Sequence, residues 1–217
     1  MRIAVLGTGE VGRRLASRFV ETGHEVMLGS RTADNPKATA WAAESGSAHG
    51  TFAGAAAFGE VVVNATGGMV SQAALDAAGA ANLAGKVLID VSNPLEFSER
   101  FPPKVVTFDG LGVAEVLQRR FPDMRVVKTL NTMDNTVMVR PDRVPGDHNV
   151  FLSGEDADAK AVVAGLLRDF GWRDAQIMDL GGIETSRAVE QLVILWLHVN
   201  TALGPGQNTF NYSVLRG

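Results

Sequence analysis

Apolar positions in this chain follow two rhythms. Short continuous runs recur as Ile3-Ala4-Val5-Leu6, Val61-Val62-Val63 and Val87-Leu88-Ile89. Such runs, bounded by turn residues, are the pattern of strands buried on both faces. Between them, apolar residues return at helical spacing, as Val11, Leu15, Ala16, Phe19 and Val20 do. The pattern predicts a strand over 2–6, a helix over 10–22 stopped by Gly23, and a strand over 25–28. Asn35-Pro36 opens an Ala-rich helix that ends near Gly46, because Asn caps and Pro tolerates the first helical position. A weak strand over 49–52 and a short Ala-rich turn follow, then a strand over 60–64, a helix over 71–78 and a strand over 86–91. Residues 92–103, with Pro94, Pro102 and Pro103, read as loop.

Beyond that loop the pattern predicts a helix over 113–121, a strand over 125–128 and a proline-bounded loop to Pro145. A strand over 149–152, a helix over 156–170, a last strand over 175–178 and a final helix over 183–203 complete the chain. Alternation of β and α elements predicts a doubly wound α/β fold with a mostly parallel sheet and a C-terminal extension ending in a long apolar helix. No repeat, low-complexity segment or linker divides the 217 residues, so one domain is expected.

The first turn carries the chemistry. Gly7-Thr8-Gly9-Glu10-Val11-Gly12 follows a strand and opens a helix. Gly7 permits a sharp turn, Gly9 lets the backbone approach a pyrophosphate, and Gly12 lets helix and strand pack closely. The helix start then offers N–H groups and a favourable dipole to the diphosphate. An ordinary glycine-rich loop is the plainer alternative. Strand, glycines, helix and second strand all in register favour a Rossmann-type dinucleotide site, with residues 1–94 as its core and 95–217 as a sheet extension.

The end of the second strand selects the dinucleotide. NAD sites place Asp or Glu there to bind the ribose hydroxyls. Here the residues are Gly29, Ser30, Arg31 and Thr32, with no carboxylate before Asp34. Ser30, Arg31 and Thr32 would bind a 2′-phosphate, which predicts NADP(H). Ligands of open parallel sheets sit at the carboxyl ends of the strands. Ala65 and Thr66 are therefore expected over the pyrophosphate and ribose, and Asn93 and Pro94 near the nicotinamide. Helix capping is the plainer use of these polar turns.

Composition removes other chemistries. Net charge is −4 with scattered Lys and Arg, so nucleic acid and anionic membrane are not expected partners. The absence of cysteine removes disulfides, thiolate nucleophiles and Cys-bound metals. His24, His49, His148 and His198 have no metal-ligand spacing, and no metal site is expected. The apolar run over 192–197 is too short to span a bilayer, and no secretion signal is evident, so a cytoplasmic location is expected.

With these pieces in place, the chain resembles the NADPH-dependent reductases of coenzyme F420, a deazaflavin. More broadly it resembles the dinucleotide-binding enzymes that include the oxidoreductase domain of membrane metalloreductases. The resemblance rests on the glycine turn, on Gly29-Ser30-Arg31, on Val126-Val127-Lys128-Thr129-Leu130-Asn131-Thr132 and on residues 179–211. It implies hydride transfer from NADPH to a planar redox acceptor, by proximity and orientation more than by acid–base chemistry. Asn131, Thr132 and Met133 are the acceptor-side candidates it suggests. The family carries a His and an Ile-Pro there, whereas this chain has Asn131-Thr132-Met133-Asp134. An Asp at that side disfavours an acidic-tailed deazaflavin such as F420, so a flavin or a quinone stands beside F420 as a candidate acceptor.

Other residues bound the reading. His198 lies in an apolar helix pattern and is expected in a core or interface, and His148 is expected to be solvated. Tyr212 is followed four residues later by Arg216, so no Tyr-x-x-x-Lys reductase pair exists. Residues 191–215 carry no formal charge, and a helix apolar nearly all round must be buried. A homodimer interface is expected to bury it, with the turn over 204–208 near the partner's acceptor pocket. The competing function is a non-enzymatic NADP(H)-sensing module that signals to a protein partner. Imine and hydroxy-acid reductases need an all-helical substrate domain, which the stretch after the last predicted strand barely supplies.

Overall fold

The computed structural model describes residues 1–97, 101–215 and 217. The chain alternates β1 (Arg2–Leu6), α1 (Glu10–Glu21), β2 (Glu25–Ser30), α2 (Pro36–Ser45), β3 (Ala48–Thr51), α3 (Phe52–Phe58) and β4 (Val61–Asn64). Next come α4 (Gly68–Ala78), α5 (Ala80–Leu83), β5 (Val87–Asp90), β6 (Leu95–Glu96), β7 (Lys104–Val105), α6 (Val113–Arg120) and β8 (Arg125–Lys128). It closes with α7 (Asn135–Val139), β9 (Val150–Leu152), α8 (Ala157–Phe170), β10 (Ile177–Asp179) and α9 (Ser186–Leu203).

Six strands form one sheet in the order β3-β2-β1-β4-β5-β8, and every pair in it is parallel. The order reverses between β1 and β4, the switch point where this architecture opens a crevice at the strands' carboxyl ends. Both faces of the sheet are covered. Ile3 and Val5 pack on one face with Leu15 and Phe19 of α1, Trp41 of α2 and Val163 of α8. Ala4 and Leu6 pack on the other with Ala55 of α3, Leu75 of α4 and Leu117 of α6. Successive strand residues point to opposite faces, so the continuous apolar runs supply both cores at once.

Local chemistry sets the ends of the helices. The Asn35 side chain accepts from Lys37 N and Ala38 N, Pro36 takes the first helical position, and Gly46 ends α2 at φ 69°. Asp156 caps α8 through Ala159 N at 2.7 Å.

Several expectations are corrected. The Ala-rich turn after β3 is the helix α3, capped by the Thr51 side chain on Gly54 N. The loop expected before Pro145 contains α7, whose cap is the short polar side chain of Asp134. The loop expected over 92–103 contains the short strand β6, which pairs antiparallel with β7 just beyond it; residues 98–100 lie outside the described residues. Helix α4 starts three residues early, at Gly68, whereas the final helix covers the expected 183–203, with a 3-10 first turn at Ile183–Thr185 before α9. The last strand lies over 177–179, after a 3-10 turn that takes up Asp174–Gln176.

At β8 the six-stranded sheet is tied to a separate two-stranded sheet, β9–β10. Lys128 and Ser153 exchange backbone hydrogen bonds of 2.8 and 3.1 Å, which join β8 to the parallel pair β9–β10. The chain does not end in its long helix. Asn149 N donates to Tyr212 O at 2.8 Å and Val214 N to the Asn149 side chain at 2.7 Å, so the last segment returns to β9.

His148 is buried rather than solvated. Its Nε2 meets Pro141 O at 3.0 Å, its Nδ1 meets the Asn211 amide at 2.9 Å, and its ring lies edge-on to Trp172. His198 is exposed rather than in a core, edge-on to Phe101. Helix α9 buries Val189, Glu190 and Val193, but Leu195 and Leu203 are about half exposed, so the chain by itself covers one face only. Among the described residues no helix is long and apolar enough to cross a membrane.

Candidate functional site

The turn after β1 is shaped by contacts that only glycine permits. Gly7 sits at φ +119°, and a Cβ there would lie 2.5 Å from Ala65 O. A Cβ on Gly12 would lie 1.9 Å from Gly7 O, so any larger residue would push α1 off the turn. Gly9 is different: a Cβ there would meet nothing within 4 Å. Its missing side chain serves an approach from outside. Helix α1 has no side-chain cap at Gly9, which leaves its first-turn N–H groups for an external acceptor. These features fit a diphosphate. Thr8, Glu10 and Val11 complete the turn. Thr8 O accepts from the Arg13 guanidinium, Glu10 pairs with Arg14 at 3.0 Å, and Val11 faces the cleft described below.

The end of β2 is partly as expected. Arg31 and Thr32 are exposed, whereas Ser30 is buried and its hydroxyl donates to Thr32 O and Gly50 O. Ser30 thus shapes the turn, and Arg31 and Thr32 are the side chains left exposed there. Two further cations were missed in the sequence. Arg13 and Lys37 line a groove of about 510 Å³ between α1 and α2, with Trp41 at its wall. Among the described residues the side chains of Arg31 and Lys37 have no hydrogen-bond or ion-pair partner, and both are available to an anion.

A second cleft, of about 450 Å³, opens at the carboxyl ends of β4, β5 and β8. The turns Ala65-Thr66-Gly67-Gly68 and Ser92-Asn93 form one wall, and Asn131, Met133, Asp134 and Asn135 form another. Met69, Val70, Leu95 and Phe97 add apolar surface, and α9 closes the cleft with Val193, Trp196 and Leu197. Of the residues expected here, Ala65, Thr66, Asn93, Asn131 and Met133 are brought together. Pro94 and Thr132 are not, being buried outside the lining. Pro94 packs behind the wall, where a Cβ on Gly68 would lie 2.5 Å from Pro94 N.

The cleft rests on hydrogen bonds that the sequence did not announce. Asn93 donates to Asn131 O at 2.8 Å, and Asn131 donates back to Asn93 Oδ1 at 2.9 Å and to Val189 O at 3.1 Å. Leu130, at φ 63°, turns the chain into this arrangement. A non-glycine residue there stores about 1–3 kcal/mol of strain. Thr66 donates to Asn64 Oδ1 at 2.6 Å, and Asn64 donates to Asp90 at 2.8 Å. Asp134 is engaged too. It caps α7 through Thr136 N at 2.8 Å and accepts from Asn208 at 2.7 Å, which ties the turn after α9 to the cleft.

Beneath the Ser92–Asn93 turn lies a buried charge cluster. Lys128 Nζ is 2.8 Å from Asp90 Oδ2 and 3.0 Å from Glu190 Oε1, and it donates to Ser92 O. Burial disfavours the ammonium, but the two carboxylates outweigh that and raise the Lys128 pKa above its ordinary value. Glu190 also accepts from Val113 N at 3.0 Å and Ala114 N at 3.3 Å, so it caps α6, where Gly112 has no side chain to do so. The sequence signal was available: Asp90 directly follows the apolar run Val87-Leu88-Ile89, and Lys128 directly follows Val126-Val127.

Comparison with known proteins agrees with this geometry. Residues 2–94 match the family model described as NADP oxidoreductase, coenzyme F420-dependent. A metalloreductase, STEAP3 of Rattus norvegicus, is 32% identical over 88% of this chain, which spans 36% of that protein's length. An F420-dependent NADP reductase of Methanothermobacter thermautotrophicus is 29% identical, over 92% of this chain and 89% of that one. A solved structure from Arthrobacter sp. FB24, provisionally described as an F420-dependent NADP reductase, is 47% identical. It covers all of both chains with a TM-score of 0.93.

Proposed function

The chain belongs to the coenzyme F420-dependent NADP oxidoreductase family, and from that premise we propose that it passes a hydride from NADPH to a planar acceptor. One observation carries the reading. Val11 of the glycine turn lines the same cleft as Val193, Trp196 and Leu197 of α9.

Each part of the chain has a task in it. The turn over 7–12 and the first N–H groups of α1 hold the diphosphate. Arg31 holds the 2′-phosphate, and Lys37 is another cation whose side chain has no partner among the described residues. Charge-assisted hydrogen bonds of about 1.5–3 kcal/mol each favour the phosphorylated dinucleotide by tenfold or more. Ala65 and Thr66 face the pyrophosphate and ribose, and the Ser92–Asn93 turn faces the nicotinamide. The apolar wall of α9 excludes water and presses a flat ring into place. NADPH supplies two electrons as a hydride, the acceptor gains them, and solvent supplies the proton that a neutral reduced acceptor needs. Among the residues lining the cleft no His, Lys or Arg is described, which fits a reaction that rests on orientation.

The acceptor we propose is a deazaflavin of the F420 type, the class named for two of the relatives, with flavins and quinones as the other planar candidates. We also propose a homodimer. Leu195, Leu203 and Phe101 are 50%, 52% and 61% exposed, and a second copy would cover them. Light scattering tests this, with a monomer at micromolar concentration as the contrary result.

Anaerobic assay of NADPH oxidation against F420, flavins, quinones and ferric chelates tests the function. Oxidation by at least one planar acceptor supports it. Tight NADPH binding with no oxidation by any of them would favour a sensor.

A further inference from the structure

The buried cluster under the cleft is unbalanced. Asp90, Lys128 and Glu190 have side-chain exposures of 0%, 0% and 2%, and two carboxylates face one ammonium. The charges packed around them do not correct this. Glu115 and Arg187 pair with each other at 2.7 Å, and the α6 N–H groups on Glu190 return only a fraction of a unit charge. Among the described residues lining the cleft itself, the one charged side chain is Asp134, also an anion. The excess sits at the end of β5, two residues from the Ser92–Asn93 turn, and Lys128 touches that turn through Ser92 O.

We propose that this fixed anionic excess makes the cleft hold the oxidised, cationic nicotinamide more tightly than the reduced, neutral one, and so biases the protein toward giving up a hydride. The inference rests on the reading above that the ring lies against the Ser92–Asn93 turn. Oxidation leaves the ring with one positive charge. A buried charge acts on that form and not on the neutral one, and in a low-dielectric wall it is weakly screened. Tighter binding of the oxidised form lowers the potential of the bound couple. Glu190 touches neither ring in this account. It acts through its charge, together with Asp90, and Lys128 holds both in place.

The test is the ratio of two dissociation constants, that of NADP+ over that of NADPH, measured by calorimetry. Wild type is expected to bind NADP+ the more tightly. Glu190→Gln removes one charge at nearly constant shape and should raise the ratio about tenfold. For a two-electron couple that is about 30 mV upward in the bound potential. Glu190→Asp keeps the charge and should keep the wild-type ratio even where both affinities fall. Asp90→Asn, on the other side of Lys128, should repeat the shift and replaces Glu190→Gln should circular dichroism show that variant unfolded.

A wild type that prefers NADPH overturns the proposal. So does an unchanged ratio in the folded neutral variants, or a Glu190→Asp ratio that moves as far as that of Glu190→Gln. Failure of folded wild type to bind either dinucleotide overturns the underlying reading instead.

Discussion

Asn93 and Asn131 hold each other by two amide hydrogen bonds of 2.8 and 2.9 Å, which fasten the turn after β5 to the turn after β8. Both side chains are thereby spent on the fold. Asn131 reaches on to Val189 O, so the same amide docks α9. Replacing Asn131 with Ala leaves Val189 O and the Asn93 side chain short of partners. Urea denaturation should show a loss of about 1–3 kcal/mol. A change below 0.5 kcal/mol, the ordinary range for surface substitutions, would mean that water replaces the amide freely.

Gly9 and Gly12 separate binding from folding. Gly9→Ala meets open space in the protein and should melt within about 2 °C of wild type, while losing about tenfold in NADPH affinity. Gly12→Ala places a methyl 1.9 Å from Gly7 O and should lose both stability and binding. Thermal melts with and without NADPH distinguish the two. Unimpaired NADPH binding by Gly9→Ala would argue against a diphosphate at this turn.

Arg31→Ala tests dinucleotide choice. NADPH affinity should fall about ten- to a hundredfold while NADH affinity stays level. Equal losses for both would assign selection elsewhere, with Lys37 the next residue to replace.

Lys128→Met leaves Asp90 and Glu190 buried without their cation and should cost about 3–5 kcal/mol in urea denaturation. The pH dependence has a definite sign. The folded pKa of Lys128 is raised, so its contribution is complete below the unfolded value of 10.5 and is lost as pH rises through the folded one. Wild type should therefore lose stability above about pH 10.5 more steeply than Lys128→Met.

Tyr212 is the single tyrosine, so its phenolate absorbance can be followed alone. Burial pushes its pKa from 10.0 up to about 12. The raised value stabilises the fold below pH 10 and is lost between 10 and about 12. A spectrophotometric titration centred near 10 would show that the segment returning to β9 does not stay docked.

Much of the fold was legible in the sequence because the parallel strands are short, apolar and separated by turn residues. Ile3–Leu6, Val61–Val63 and Val87–Ile89 could hardly be anything else. The short helices were not legible. Phe52–Phe58 is seven residues of Ala, Gly and Phe, too small to show a period, and Asn135–Val139 is one turn defined by the Asp134 cap. In the site, the glycine turn was visible because its backbone demands glycine. Glu190 was not, since one carboxylate in an apolar helix gives no hint that its partner lies 62 residues earlier, at Lys128. His148 was misjudged for a related reason. Polar neighbours in sequence suggested solvent, whereas Pro141, Asn211 and Trp172 enclose it in space.

Direct hydride transfer is tested most directly by following the isotope. NADPH deuterated on both C4 positions, bound to the protein, is mixed anaerobically with a deazaflavin, which accepts hydride at carbon and retains the label. Deuterium in the reduced deazaflavin, with a slowed single turnover, is the result predicted. Oxidised NADPH with no label in the product, or no oxidation by deazaflavin, flavin or quinone despite saturated binding, would contradict it.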